Sequence, residues 1–388
     1  MDIEDLENPD TINKDSFRFK DNKNEFNRLD ECTHGGFHSI EDNNKIRIDF
    51  SSNINPLGIS NKVIKKISEN IRDISVIYPD PKCKELKKMI SEYLGKGINV
   101  DWITVGNGAT ELIHHFVRSF PYNAIIPIPT FCEYELAVRR SDLKVDFIPH
   151  LENWEMDWEL VIKQVKNSDK SILFLCNPNN PTGKLVAPEI MNNIIREIEN
   201  KDSIIFIDES FIEFVRNYKK YSMISQALST RNVMVLRSMT KSFGLAGLRL
   251  GYLVANPNLL KKINQIQIAW NVNNIAQTAG IEALKDKDHL RRAKKLIEKE
   301  KVRIIKIIKK RMKNLVTYDS EANFLLIELK DNDSTSFRDK LLENCGILVR
   351  DCSSFRGLTN KFIRIAIRTP HDNDVLLESL ESLINHDN

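Results

Sequence analysis

The chain lacks several features that would place it quickly. No apolar run among its 388 residues approaches the length of a membrane span. Its opening residues are acidic and polar, without the basic-then-apolar layout of a secretory leader. Six cysteines are scattered (Cys32, Cys83, Cys132, Cys176, Cys345, Cys352), and none form a C-x-x-C pair. That argues against a disulfide framework or a zinc site and predicts a reducing, cytoplasmic setting with no bound metal. An excess of one charge sign is also missing: 57 Lys and Arg stand against 54 Asp and Glu, net +3. The balance removes any global electrostatic case for nucleic acid. There is no internal repeat and no low-complexity tract.

What is present is an ordinary globular composition, 41% hydrophobic and 29% charged, long enough for two or three domains. Residues 1–30 are polar and poor in periodic apolar positions, and they read as a flexible extension. From about residue 100, short β-rich runs recur: Trp102–Val105, Ala124–Ile128, Val145–Ile148, Ile172–Cys176, Ile204–Ile207, Val233–Leu236 and Leu250–Val254. Several are apolar on both faces, and helical stretches such as Pro188–Glu199 separate them. This alternation predicts an α/β domain around a mainly parallel sheet. Residues 258–315 read as long helices. Within the basic stretch Lys294–Lys313, Leu296, Ile297, Val302, Ile304, Ile305, Ile308 and Met312 recur at helical spacing. That pattern suits a connecting helix with a solvated lysine face better than a membrane-binding one. Phe324–Leu329, Ile347–Val349 and Phe362–Ile367 follow as strands of a smaller α/β domain.

The chemistry concentrates at Arg237-Ser238-Met239-Thr240-Lys241-Ser242-Phe243-Gly244-Leu245-Ala246-Gly247-Leu248-Arg249. A lysine amine can form a Schiff base with an aldehyde cofactor, while neighbouring hydroxyls and a guanidinium hold that cofactor's phosphate. This combination describes pyridoxal 5'-phosphate. Upstream, Gly106-Asn107-Gly108-Ala109-Thr110-Glu111 follows a strand and opens a helix, where backbone amides can bind phosphate. Alone it would be a routine strand-to-helix turn. Asp208, in Phe206-Ile207-Asp208-Glu209-Ser210-Phe211, ends a strand and can face the crevice where open α/β sheets bind ligands.

The lysine run, with its companions, resembles fold-type-I pyridoxal-phosphate enzymes, in the branch that holds histidinol-phosphate aminotransferase and threonine-phosphate decarboxylase. The companions are Pro129-Thr130-Phe131-Cys132-Glu133-Tyr134 and Asn177-Pro178-Asn179-Asn180-Pro181-Thr182-Gly183. The resemblance implies a large domain with a seven-stranded, mainly parallel sheet over residues 76–280 and a smaller C-terminal α/β domain over 281–388. Residues 31–75 would contribute to the small domain and the active site. By the same resemblance Lys241 carries the cofactor. Gly108, Ala109, Thr110, Ser238 and Arg249 cradle its phosphate, Phe131 stacks on its ring, Asn180 meets its phenolic oxygen and Asp208 pairs with its ring nitrogen. Tyr78, in Tyr78-Pro79-Asp80-Pro81, would reach a partner's cofactor phosphate, which implies a homodimer.

Arginine forks suit carboxylate and phosphate alike. The resemblance assigns Arg364 to a substrate carboxylate and Arg350 to a substrate phosphate, and leaves Arg368 structural. Thr33-His34-Gly35-Gly36 and Asp49-Phe50-Ser51-Ser52-Asn53-Ile54-Asn55-Pro56-Leu57-Gly58 resemble the opening of threonine-phosphate decarboxylases of the cobalamin pathway, with His34 and Asn180 on the substrate side. Phe211 stands where many aminotransferases of the group carry tyrosine, which points the same way. The expected reaction is decarboxylation of L-threonine O-3-phosphate to 1-amino-2-propanol phosphate. Histidinol-phosphate transamination with 2-oxoglutarate is the alternative. A non-catalytic effector module is disfavoured, because residues 1–30 are too short and polar for a DNA-binding domain and both Lys241 and the arginine pair are present.

Overall fold

Strand runs that are apolar at all but one end position are buried end to end, as Ser171–Cys176 and Ile204–Asp208 show. The computed structural model describes residues 33–95 and 97–386. The expected polar extension over residues 1–30 lies outside them. A short strand β1 (Ile48–Asp49) precedes the large sheet. That sheet comprises β2 (Ile103–Gly106), β3 (Asn123–Ile128), β4 (Val145–Pro149), β5 (Ser171–Cys176), β6 (Ile204–Asp208), β7 (Val233–Ser238) and β8 (Gly251–Ala255). Their spatial order is β2-β8-β7-β6-β5-β3-β4. All pairs are parallel except those of β8, which runs antiparallel to β2 and β7. All seven expected runs are strands of this sheet.

Alternation divides the sheet's side chains between two cores. Leu173, Leu175, Ile205, Ile207, Val233 and Val235 pack on one face, and Ile172, Phe174, Ile204, Phe206, Met234 and Leu236 on the other. Both faces are therefore dry, as expected of a helix-covered parallel sheet. The register sets where chemistry can occur. Cys176 lies opposite Asp208, and Gly251 lies opposite both Ser238 and Gly106. The C-terminal ends of β2, β5, β6 and β7 thus open at one edge.

A second, antiparallel sheet has the order β12-β13-β10-β9. It is built from β9 (Leu315–Thr317) and β10 (Phe324–Leu329), with β12 (Arg350–Asp351) and β13 (Phe362–Ala366) after them. Strand β11 (Ile347–Leu348) instead pairs in parallel with β1. The single expected strand Ile347–Val349 is thus followed at once by a second strand that joins a different sheet. The long helical stretch resolves into Pro257–Ile266, Asn274–Lys285 and Lys287–Arg311. In the last, Ile297, Ile304 and Ile308 are buried, whereas Val302 is 63% exposed, so the apolar stripe is narrower than its periodicity suggested.

Among the described residues, no helix is long and apolar enough to cross a membrane, and no cluster of His, Cys, Asp and Glu is arranged to hold a metal. Cys83, Cys176, Cys345 and Cys352 are free thiols. Cys132, by contrast, is disulfide-bonded, a single bond that the scattered spacing gave no sign of. Spacing reports only local pairs and is blind to bonds made by tertiary folding.

Candidate active site

The open edge of the large sheet forms the floor of a cavity of about 340 Å³. Thr33, His34 and Gly35 line it from the N-terminal side, with Ser51, Ser52 and Asn53. Ala109, Thr110, Phe131, Asn180, Asp208, Phe211, Ser238, Thr240, Lys241 and Arg249 come from the sheet edge and its loops, while Arg350, Phe355 and Arg364 come from the small-sheet side. Lys241, Arg249, Arg350 and Arg364 bring cationic groups, and Asp208 is the one carboxylate among the lining residues. Such a cavity favours ligands carrying several negative charges.

Lys241 sits on a four-residue helical turn, Met239–Ser242, entered from β7. Ser238 starts that turn by accepting from the Thr240 amide, and its hydroxyl lies 2.7 Å from the Thr240 hydroxyl. Burial pushes the Lys241 amine down, the charges of Arg364 and Arg249 push further, and Asp208 opposes them. The result is a pKa of about 8. About a tenth of the amine is therefore neutral and nucleophilic at pH 7, far more than for an ordinary lysine.

Asp208, at the end of β6, accepts from the Ser210 amide at 2.8 Å and from the Tyr134 hydroxyl at 2.7 Å. Burial nevertheless pushes its carboxyl above the usual range. A cationic ring nitrogen beside it would restore the charge that burial opposes. Gly108 stands at the start of α3 in the order α1 (Asn61–Val76), α2 (Lys84–Leu94), α3 (Ala109–Ser119) and α4 (Glu133–Arg139). It adopts φ 86° and ψ 172°, a region open essentially to glycine alone. A Cβ there would lie 2.7 Å from Arg249 Nη2, so the guanidinium rests directly on this backbone. An uncapped helix start and a guanidinium meeting at one wall are a fit for phosphate. Together with the depressed lysine and the buried carboxyl, the residues present fit pyridoxal phosphate.

On the opposite wall Arg364, also buried, donates to Asn180 Oδ1 and, at 2.8 Å, to the Ser51 carbonyl. With its amide oxygen turned inward, Asn53 accepts from the same guanidinium at 3.2 Å. Burial lowers the Arg364 pKa to about 10, which leaves it cationic at neutral pH. Because Arg364 holds the oxygen of Asn180, the amide nitrogen of Asn180 is the end left to donate. Arg350 donates to the Thr33 carbonyl and, at 2.9 Å, to Ser354 Oγ, and its guanidinium lies 5.3 Å from the Phe355 ring. Phe131 lies edge-on to Tyr134 and 5.9 Å from the His34 ring. Phe211 packs edge-on against Phe324 at 5.2 Å and brings no hydroxyl to the cavity. Arg368 bonds Asp372 and the Asp49 carbonyl, away from the cavity.

Of the expected residues, Tyr78 is not among the lining residues of its own chain. It is 78% exposed and packs on Trp270 at 4.9 Å. Sequence reasoning passed over Tyr134, which orients Asp208, and Asn53, Thr240 and Ser51. Tyr134 closes the Pro129–Tyr134 motif, but only the turn of α4 brings its hydroxyl to β6. It also missed a buried network behind the lysine. There Arg237 donates to Glu209 at 2.7 Å and to Glu213 at 2.6 Å, and Ser242 donates to Glu213 at 3.1 Å.

Comparison with known proteins adds an independent line. The profile of the family described as aminotransferase class I and II matches residues 45–380. A protein of Caldanaerobacter subterraneus subsp. tengcongensis named "Putative threonine-phosphate decarboxylase" is 36% identical over 353 residues, covering 90% of this chain and 93% of that one. A histidinol-phosphate aminotransferase of Methanocaldococcus jannaschii is 35% identical over 346 residues, covering 87% of this chain and 89% of that one. Among solved structures, L-threonine-O-3-phosphate decarboxylase from Porphyromonas gingivalis superposes with a TM-score of 0.78 at 26% identity, covering 87% of this chain and 99% of that one.

Proposed function

Starting from a chain that belongs to the aminotransferase class I and II family, whose enzymes depend on pyridoxal 5'-phosphate, we propose that it decarboxylates L-threonine O-3-phosphate. The carrying observation is the charge of the cavity: two buried or nearly buried arginines and His34 face the space above Lys241, beyond the groups that suffice for the cofactor. L-Threonine O-3-phosphate brings a carboxylate and a phosphate, and so matches the two guanidinium forks that β12 and β13 present side by side.

Lys241 would hold the cofactor's aldehyde carbon. Ala109, Thr110, Ser238 and Arg249, with the backbone of Gly108, would hold its phosphate. Asp208 would face its ring nitrogen, Asn180 its phenolic oxygen and Phe131 its ring. When bound, the cofactor supplies a ring that accepts the electron pair left on Cα as a bond there breaks. Arg364 grips the substrate carboxylate through a fork already braced by Ser51, Asn53 and Asn180. Arg350 and His34 hold the substrate phosphate. The bond that breaks is chosen by where these anchors place the carboxylate, which is differential binding in the transition state. Lys241 would also hold the proton that returns to Cα.

Histidinol-phosphate transamination is the second reading, favoured by the 35% identical relative of that name. A homodimer is part of the proposal. Val76, Ile77, Tyr78, Ile268 and Trp270 are exposed apolar side chains, with Tyr78 packed on Trp270, and they include the tyrosine expected at a partner's cofactor. The deciding experiment mixes the cofactor-loaded protein with L-threonine O-3-phosphate and no oxo acid. Carbon dioxide and 1-amino-2-propanol phosphate should appear over many turnovers. Their absence, with glutamate formed from histidinol phosphate and 2-oxoglutarate, would replace this reading by the second.

A further inference from the structure

His34 does not stand alone at the cavity mouth. Its Nε2 lies 2.8 Å from Glu133 Oε1, and the other oxygen of that carboxylate lies 3.1 Å from His114 Nε2. Glu133 opens α4 and is buried, His114 is on α3, and His34 is half-exposed on the N-terminal segment. Burial pushes the Glu133 carboxyl up, but hydrogen bonds and charge from His114 and His34 outweigh it and hold the pKa at about 2. The carboxylate is thus ionised and can only accept. Both imidazoles must therefore present Nε2–H to it. This fixes the ring plane of His34 and leaves Nδ1 as its ligand-facing atom, which donates to a phosphate as Nδ1–H when the ring carries both protons. The segment carrying His34 is itself held, since the Gly36 amide donates to Ser51 Oγ at 2.7 Å and the Thr33 carbonyl accepts from Arg350.

We propose that Glu133, backed by His114, is a positioning residue that aims His34 at the substrate's phosphate and so sets the preference for a phosphorylated amino acid. This rests on the phosphorylated-substrate reading above. The carboxylate's own charge would repel a phosphate. Held by two imidazoles, behind the ring that faces the cavity, that charge instead orients His34, whose doubly protonated ring offsets it.

The test uses the cofactor-loaded enzyme and compares dissociation constants for L-threonine O-3-phosphate and L-threonine. Both are read by the stopped-flow change in the cofactor's visible spectrum. Wild type should prefer the phosphorylated ligand. Glu133→Gln should shrink that preference roughly tenfold, as befits a hydrogen bond to a charged group, with L-threonine binding and cofactor content unchanged. His114→Gln should shift it in the same direction by less, and it tests the idea should Glu133→Gln fail to fold. If Glu133 acts through His34, the double variant His34→Gln/Glu133→Gln should be no worse than His34→Gln alone. Additive losses, or an undiminished preference in Glu133→Gln, overturn the proposal. A wild type that binds both ligands equally overturns the phosphorylated-substrate reading itself, and this inference with it.

Discussion

At the scale of single residues, the cavity works by placing charges where water cannot shield them. Lys241 shows this most directly. Its amine titrates near 8, so a charged, buried amine burdens the native state below that pH. In the apoprotein the unfolded chain binds more protons than the native one between about pH 8 and the ordinary lysine range, so this burden lifts as pH rises through that window. Lys241→Met should therefore stabilise the apoprotein at pH 7 by on the order of 3 kcal/mol, with the gain fading at high pH. Chemical denaturation at several pH values measures it. The same variant should give no cofactor adduct that borohydride can fix. Arg364→Ala should leave the cofactor bound but lower kcat/KM roughly a hundredfold or more, because the carboxylate loses its fork and Asn180 its brace. Arg364→Lys should not restore it, since one ammonium cannot serve Asn180, Ser51 and Asn53 together. Steady-state kinetics with absorbance spectra separate these effects.

At the scale of elements, strand ends and helix starts position those charges. β6 delivers Asp208, β7 delivers Ser238 and then the turn bearing Lys241, and α3 begins at Gly108 under Arg249. Gly108→Ala would force a side chain into φ 86° and against Arg249 Nη2. It should cost about 1–3 kcal/mol of stability and weaken cofactor binding, both measurable by thermal melts with and without cofactor. The buried Arg237–Glu209–Glu213 network ties the end of β7 to the loop after β6. Arg237→Leu would leave two buried glutamates without their cation. It should destabilise by about 3–5 kcal/mol, read from the urea midpoint.

At the scale of the whole molecule, the cavity lies between the large sheet's edge and the small sheet's Arg350 and Arg364, so neither sheet forms it alone. Strand β1 pairs with β11, and residues 33–35 before it and 51–53 after it line the same space. The exposed patch around Tyr78 and Trp270 predicts association of two copies. Under the proposed dimer, wild type should scatter light as two copies and Trp270→Glu as one, with weaker cofactor retention if Tyr78 serves the partner's site.

The sequence alone determined the seven strands of the large sheet and the motif order, because buried strands need unbroken apolar runs and lysine chemistry needs its local hydroxyls and arginine. It also marked which residues of those motifs could meet a cofactor, and the structure brings all of them but Tyr78 and Gly108 to the cavity lining, with Gly108 packed directly behind it against Arg249. Tertiary structure decided the rest. Residues 350–351 join a different sheet from residues 347–348, and no local pattern encodes which distant edge a two-residue strand will meet. Tyr134 reaches Asp208 across 74 positions, and Glu133 reaches His34 across 99. Periodicity and spacing report neighbours within a few residues. Contacts of that reach exist only once α3, α4 and the N-terminal segment have packed around one sheet edge.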